Sequence, residues 1–204
     1  MTLLNRLNRF NQLHLLAMTG LLISTIGFTA NAQAQWHLVN EASQFNFIST
    51  KATHIAESHT FTKLQGSVNE AGQANLTIDL ASVETMIPIR NERMGTMFFE
   101  IASYPTAEFA AQVDIQEVNQ LDVGGVTDMA LSGVLDLRAT TLPLTASVRV
   151  VKLANNRVQI QTLKPIIIDA NLSASEGIER LRVIAGLPSI SYSVPVTFSL
   201  VFQQ

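Results

Sequence analysis

The 204-residue chain contains no cysteine. It can therefore form no disulfide and no thiolate metal site, and it offers no N-terminal cysteine for a lipid anchor. Charge is absent over a second stretch: from Phe10 to Gln35 there is no Asp, Glu, Lys or Arg. Arg6 and Arg9 precede it, Leu13 to Phe28 is mostly apolar, and Ala30-Asn31-Ala32 or Ala32-Gln33-Ala34 supplies a small-x-small cleavage site. Residues 1–34 are thus expected to be a secretory signal peptide, leaving an exported domain over 35–204. An uncleaved anchor is the alternative, and it fits less well because the end of the run is polar and Ala/Gln-rich. Beyond it no apolar run is long enough to span a bilayer as a helix. An exported domain without disulfides is held by its core, and roughly 170 residues can bury a substantial one.

Basic residues are also in deficit. Without Arg6 and Arg9 the basic count falls from 13 to 11 against 16 acids, a formal charge of -5. Nucleic acid is therefore not an expected partner. His37, His54 and His59 form neither H-x-H nor H-E-x-x-H, so no metal is expected. Ser58-His59 beside Glu57 suggests a nucleophile, but no G-x-S-x-G elbow surrounds it. Adjacent strand residues also point to opposite faces. Gly124-Gly125 is too short for a phosphate loop and reads as a hairpin turn. No enzymatic activity and no cofactor are expected. There is no internal repeat and no low-complexity linker, so 35–204 is read as one domain.

What the chain does have is alternation. Trp36 opens a strand that Asn40–Ser43 interrupts, after which Phe45, Phe47 and Ser49 share a face. His54 to Val68 follows, with His59, Phe61, Lys63 and Gln65 on one unusually polar face. After a turn at Gly72, Leu76, Ile78 and Leu80 alternate with Asn75, Thr77 and Asp79. Phe109, Ala111, Val113 and Ile115 share a face in the run from Thr106 to Glu117. Met129 to Leu137 and Thr140 to Lys152 come next, then an Asn155-Asn156 turn and Arg157 to Asp169. Ile190 to Phe202 ends the chain, with Pro195 suggesting an edge or bulge. Eight strands with one apolar and one polar face fit a sandwich or a barrel. The polar outer face on consecutive hairpin-linked strands favours the barrel. Large inward residues mixed with Ala111, Gly133 and Ala146 leave open whether it is filled or holds a ligand.

Two stretches break the alternation. Met94, Met97, Phe98 and Ile101 recur at helical spacing among Arg90, Glu92, Arg93 and Glu100, predicting a short amphipathic helix that buries its Met/Phe face. That face is either a plug of the barrel mouth or a plug that also touches a ligand. Glu84, Arg90, Glu92 and Arg93 are either an ion-pair group pinning this helix to the rim or a solvated face. Ser173 to Gly186 predicts a second helix, with capping-box spacing at Ser173 and Glu176 and an apolar face of Ile178, Leu181 and Ala185.

Several motifs in order resemble the YceI family: Trp36, Phe45-Asn46-Phe47, Gly66, Ile78-Asp79-Leu80, Ser82-Val83-Glu84-Thr85 and Ile89-Arg90-Asn91-Glu92-Arg93-Met94. Phe98-Phe99, Tyr104-Pro105-Thr106-Ala107-Glu108-Phe109, Gly133-Val134-Leu135-Asp136-Leu137-Arg138 and Thr141-Leu142-Pro143-Leu144 extend the resemblance over essentially the whole domain. It implies an all-β, eight-stranded antiparallel lipocalin-like barrel with two short helical insertions, exported to the periplasm. It also implies a polyisoprenoid, quinone or similar lipid held inside. The expected lining and lid residues include Phe45, Phe47, Phe61 and Ile78. The pattern departs from the family at Arg93, where a histidine is common, and over Ser49 to Glu57, where polar groups near the mouth would select a head group. The alternative function is a filled barrel that carries no lipid and serves a stress-related or partner-binding role.

Overall fold

A computed structural model describes residues 35–204; the predicted signal peptide lies outside the described residues. The strands are β1 (Trp36–Leu38), β2 (Gln44–Lys51), β3 (Ile55–Phe61), β4 (Leu64–Val68), β5 (Gln73–Asp79), β6 (Val83–Glu84), β7 (Thr106–Gln112), β8 (Val126–Leu137), β9 (Thr140–Ala154), β10 (Arg157–Thr162), β11 (Ile166–Asp169) and β12 (Ser193–Gln203). The helices are α1 (Pro88–Arg93), which runs into a π-type turn over Met94–Phe99, then α2 (Ile115–Asn119) and α3 (Asn171–Ile184).

Pairing runs β1-β4-β5-β7-β8-β9-β10-β12 and returns from β12 to β1, so eight antiparallel strands close a barrel. The remaining strands are continuations of these across breaks. β2 continues β1, β3 precedes β4, β6 continues β5 and β11 continues β10. Above the closed ring the sheet runs on as β11–β12–β2–β3–β6. The β8–β9 hairpin on the other side is linked to α3, where Arg138 Nη1 donates to the carbonyl of Ser173.

Three neighbouring strands bend at one level, and polar side chains satisfy the backbone groups that bending frees. Leu64 N–H donates to Asn40 Oδ1 (2.7 Å), Asn40 Nδ2 to the Thr62 carbonyl (3.1 Å), and Lys63 N–H to Ser82 Oγ (3.1 Å). This break resets the alternation of the second predicted strand. His59 and Phe61 are buried before it and Leu64 and Val68 after it, while Lys63 and Gln65 are exposed. The polar face read from the sequence was one face only as far as Phe61. Along β8 the alternation holds, with Met129, Leu131, Gly133 and Leu135 less exposed than their neighbours; at the end of β12 it lapses, since Val201 is buried along with Leu200 and Phe202.

Several expectations are corrected. The fourth strand ends at Gln112. Asp114 Oδ1 accepts from the N–H groups of Gln116 and Glu117 and caps α2, so Ile115 is buried on a helical turn, and among the described residues α2 is an α-helical insertion beyond the two expected. Ser173 does not cap α3: its buried hydroxyl has no partner, and Asp169 Oδ1 accepts from Asn171 N–H instead. The Asn155-Asn156 turn forms, but not in the left-handed region; a register shift between Arg157 and Val158 accommodates it. Left-handed pairs occur instead at Ala52-Thr53 and Arg138-Ala139, where the hairpin geometry overrides residue preference. Pairing between β12 and β2 stops at Val196, next to Pro195, which has no N–H to donate.

Candidate functional site: an apolar cavity with a polar mouth

The barrel is not filled. A cavity of about 440 Å³ occupies its upper part, and a second of about 80 Å³ lies toward the other end. Leu76, Phe109, Leu131 and Phe198 line both and so stand between them. Gly133 makes room for one of these, since a Cβ there would lie 2.5 Å from the Phe109 ring. The small inward residues predicted from sequence therefore do different things: Gly133 admits a ring, whereas Ala146 lines the larger cavity.

Phe45, Phe47 and Phe61 line the larger cavity. Ile78 does not. It faces the interior between Leu64 and Ala107 on the adjacent strands and is buried in the core, while Leu76 and Leu80 on the same face reach the cavity. The aromatic wall is continuous: Phe47 and Phe61 centroids lie 5.3 Å apart, Phe61 and Phe99 5.6 Å, and Phe98 and Phe99 4.6 Å. Phe99 is the residue that helical spacing missed. The π-type turn widens the helix at Met94–Phe99 and rotates Phe99 inward, so Met94 and Phe99 are buried and Met97 and Phe98 only half-buried.

The lid is fastened from both sides. Gly177 lets α3 approach the backbone of the π-type turn, where a Cβ would meet the Met97 carbonyl and the Phe98 Cα at 2.8 Å. Ile178, Leu181 and Ala185, the predicted apolar face, line the cavity from above. Glu100 Oε1 accepts from Arg138 (3.0 Å) and Arg180 (2.8 Å), joining lid, hairpin and α3. Hydrogen bonding from Arg180 and then Arg138 holds the Glu100 carboxyl below its ordinary range, despite some desolvation.

Polar groups gather at the mouth. Glu57 Oε2 pairs with Lys51 Nζ and Arg90 Nη1, each at 2.7 Å, and Arg90 Nη2 donates to the Thr85 carbonyl (2.7 Å). The helix is thus pinned by Arg90, but to Glu57 rather than to Glu84, which accepts from Met86 N–H and Asn91 Nδ2. Hydrogen bonding from Lys51 is the main reason the Glu57 carboxyl lies below its usual range. Ser49 Oγ and His59 Nε2 are 2.8 Å apart. His59 is buried, and desolvation, then Arg90, keeps its pKa below the ordinary value of 6.5. Its Nδ1 has no hydrogen-bond partner, so no carboxylate orients the ring as in a catalytic triad. Ser58, next to His59 in sequence, points to the other face, as expected; the register sets His59 opposite Phe47, and Ser49, two residues on along the same face of β2, reaches its ring diagonally. His54 is exposed in the β2–β3 turn.

Residues 36–202 match the YceI-like domain family. The chain belongs to the YceI family. Comparison with solved structures agrees. The YceI barrel is 38% identical, with a TM-score of 0.81, to a polyisoprenoid binding domain from Saccharophagus degradans implicated in plant cell wall breakdown; the match covers 84% of this chain and 98% of that one. It shares the fold of Burkholderia cenocepacia BcnA at 19% identity and a TM-score of 0.58, over 80% of this chain and 98% of that one. The CJ YCEI protein is more distant, at 13% identity and a TM-score of 0.52, over 72% and 84% of the two chains. No curated protein matched.

Proposed function

We propose that this YceI barrel carries a long apolar chain, of polyisoprenoid or quinone type, with the chain inside the barrel and its head at the polar mouth. The observation that carries the reading is the 440 Å³ void walled by Phe and aliphatic side chains. The volume lies in the range of ligand pockets. Each CH₂ that an occupant buries there contributes about 0.8 kcal/mol. The polyisoprenoid-binding description of the 38% identical relative supports the class of cargo. Arg6, Arg9 and the uncharged run after them support export, and the family resemblance supports the periplasm as its destination.

The test is lipid extraction and mass spectrometry of the protein purified from its native compartment, with N-terminal sequencing to locate the cleavage site. A prenyl lipid at near one per barrel is expected, with a mature start at Gln33 or Gln35. Ala146→Phe fills the cavity and should lower lipid uptake at least tenfold while the melting temperature holds. A lipid-free barrel that takes up no prenyl lipid would sink the carrier reading.

A further inference from the structure

The mouth of the cavity is rimmed by apolar side chains that the fold leaves in water. Ile87, Ile89 and Ile184 line the cavity yet are 43%, 50% and 44% exposed. Met86, next to Ile87, is 88% exposed, more than any other large apolar side chain among the described residues. Its exposure is built in. Met86 is held in the left-handed region at φ 63°, which a non-glycine residue rarely adopts. Its N–H donates to Glu84, Thr85 donates to Asn91 Oδ1 through both N–H and Oγ1, and Arg90 clasps the Thr85 carbonyl. A polar brace thus holds an apolar side chain outward beside the opening. Among the groups lining the cavity, Lys51, Arg90 and Arg93 outnumber Glu57, which pairs with the first two; Glu84 accepts from Met86 N–H beside them. Arg93 is the surplus positive charge of the lining, in a domain where residues 35–204 carry 11 basic and 16 acidic groups.

We propose that this rim docks on an anionic lipid bilayer. Met86, Ile87, Ile89 and Ile184 enter the headgroup boundary, as the apolar face of an interfacial helix does, and the basic groups face lipid phosphates. The cavity then opens onto the acyl region, and an apolar chain passes between bilayer and barrel without crossing water. Continuity between exposed rim and cavity wall favours lipid over a protein partner, because the same three isoleucines serve both surfaces. The inference rests on the carrier reading and adds the source of the chain.

Residues 35–204 close the barrel and carry its core by themselves, so this fragment is the one to test. Its co-sedimentation with phosphatidylcholine vesicles is measured with and without phosphatidylglycerol. Binding is expected, stronger with phosphatidylglycerol. Met86→Ser, which leaves every cavity-lining residue in place, should lower partitioning about tenfold, from the apolar area removed. The matched Val123→Ser, exposed at the far end, should leave it unchanged. Equal partitioning of the two variants, absent vesicle binding, or a rim effect seen only on self-association in sedimentation velocity would each overturn docking. Uptake of a polyprenol from detergent micelles reads the cavity separately, and the rim variant should retain it. Vesicle binding without micellar uptake would sink the carrier reading and leave docking in place; uptake without vesicle binding would do the reverse.

Discussion

The two ends of the barrel follow different rules. At the lower end the ring closes, the strands pair regularly and the interior is nearly full: Trp36 is 2% exposed, Val148 and Val150 are 1% exposed, and Lys152 Nζ lies 5.3 Å from the Trp36 ring. At the upper end the strands break, helices replace part of the wall, and 440 Å³ stays open. Regular pairing lets side chains meet across a narrow interior. Where the strands bend, the wall moves outward, and the lid spans the gap without filling it. The lower end is therefore read as the source of stability and the upper end as the source of function.

The strongest way to break this comparison is at the lower end. Trp36→Ala should cost about 3–5 kcal/mol, the range for large aromatic truncations in a core. Urea unfolding measures it, and a loss below about 1 kcal/mol would mean that the lower end is not the main support. A smaller effect is expected at the lid. Gly177→Val drives side-chain atoms into the Met97 and Phe98 backbone and should cost about 1–3 kcal/mol. Hydrogen exchange should rise over Met94–Phe99 and α3 while β8 and β9 stay protected. Uniform exchange across both ends would show that lid and barrel unfold as one unit.

The smallest effect is a pH slope. His59 is buried, faces Ser49 and Phe47, and has Glu57, Lys51 and Arg90 as its charged neighbours. Its folded pKa is lowered from 6.5, so below that pH the unfolded chain binds a proton that the native protein resists. Stability should therefore fall as pH drops from about 6.5 toward the folded pKa. His59→Gln keeps a polar group beside Ser49 and should flatten this window. Glu57, lowered from 4.5, adds a separate loss only below that value. An unchanged slope in His59→Gln would place the titration elsewhere.

Legibility differed between the same two regions. The strands of the lower end could be read because a buried face imposes a strict period of two, and Met129 to Leu137 keeps it throughout. At the upper end local rules misled in identifiable ways. Phe99 was missed because a π-type turn changes the helical phase. Ile115 was placed on a strand because an Asp114 cap followed by one turn of helix also reads as alternation. The polar face of the second strand arose from reading across a break stitched by Asn40 and Ser82, which come from the turns that interrupt neighbouring strands. Ile78 faces the interior as expected, yet the cavity stops short of it.

By itself the sequence determined the number of strands, the inward face of most of them, the two larger helical insertions and the family, because alternation and helical spacing are local and repeat. Tertiary structure alone decided that the barrel is hollow, that Glu57 rather than Glu84 holds Arg90, and that Ser49 rather than Ser58 meets His59. Those outcomes depend on the register between strands and on volume left over after packing. Neither is a property of any stretch of chain alone.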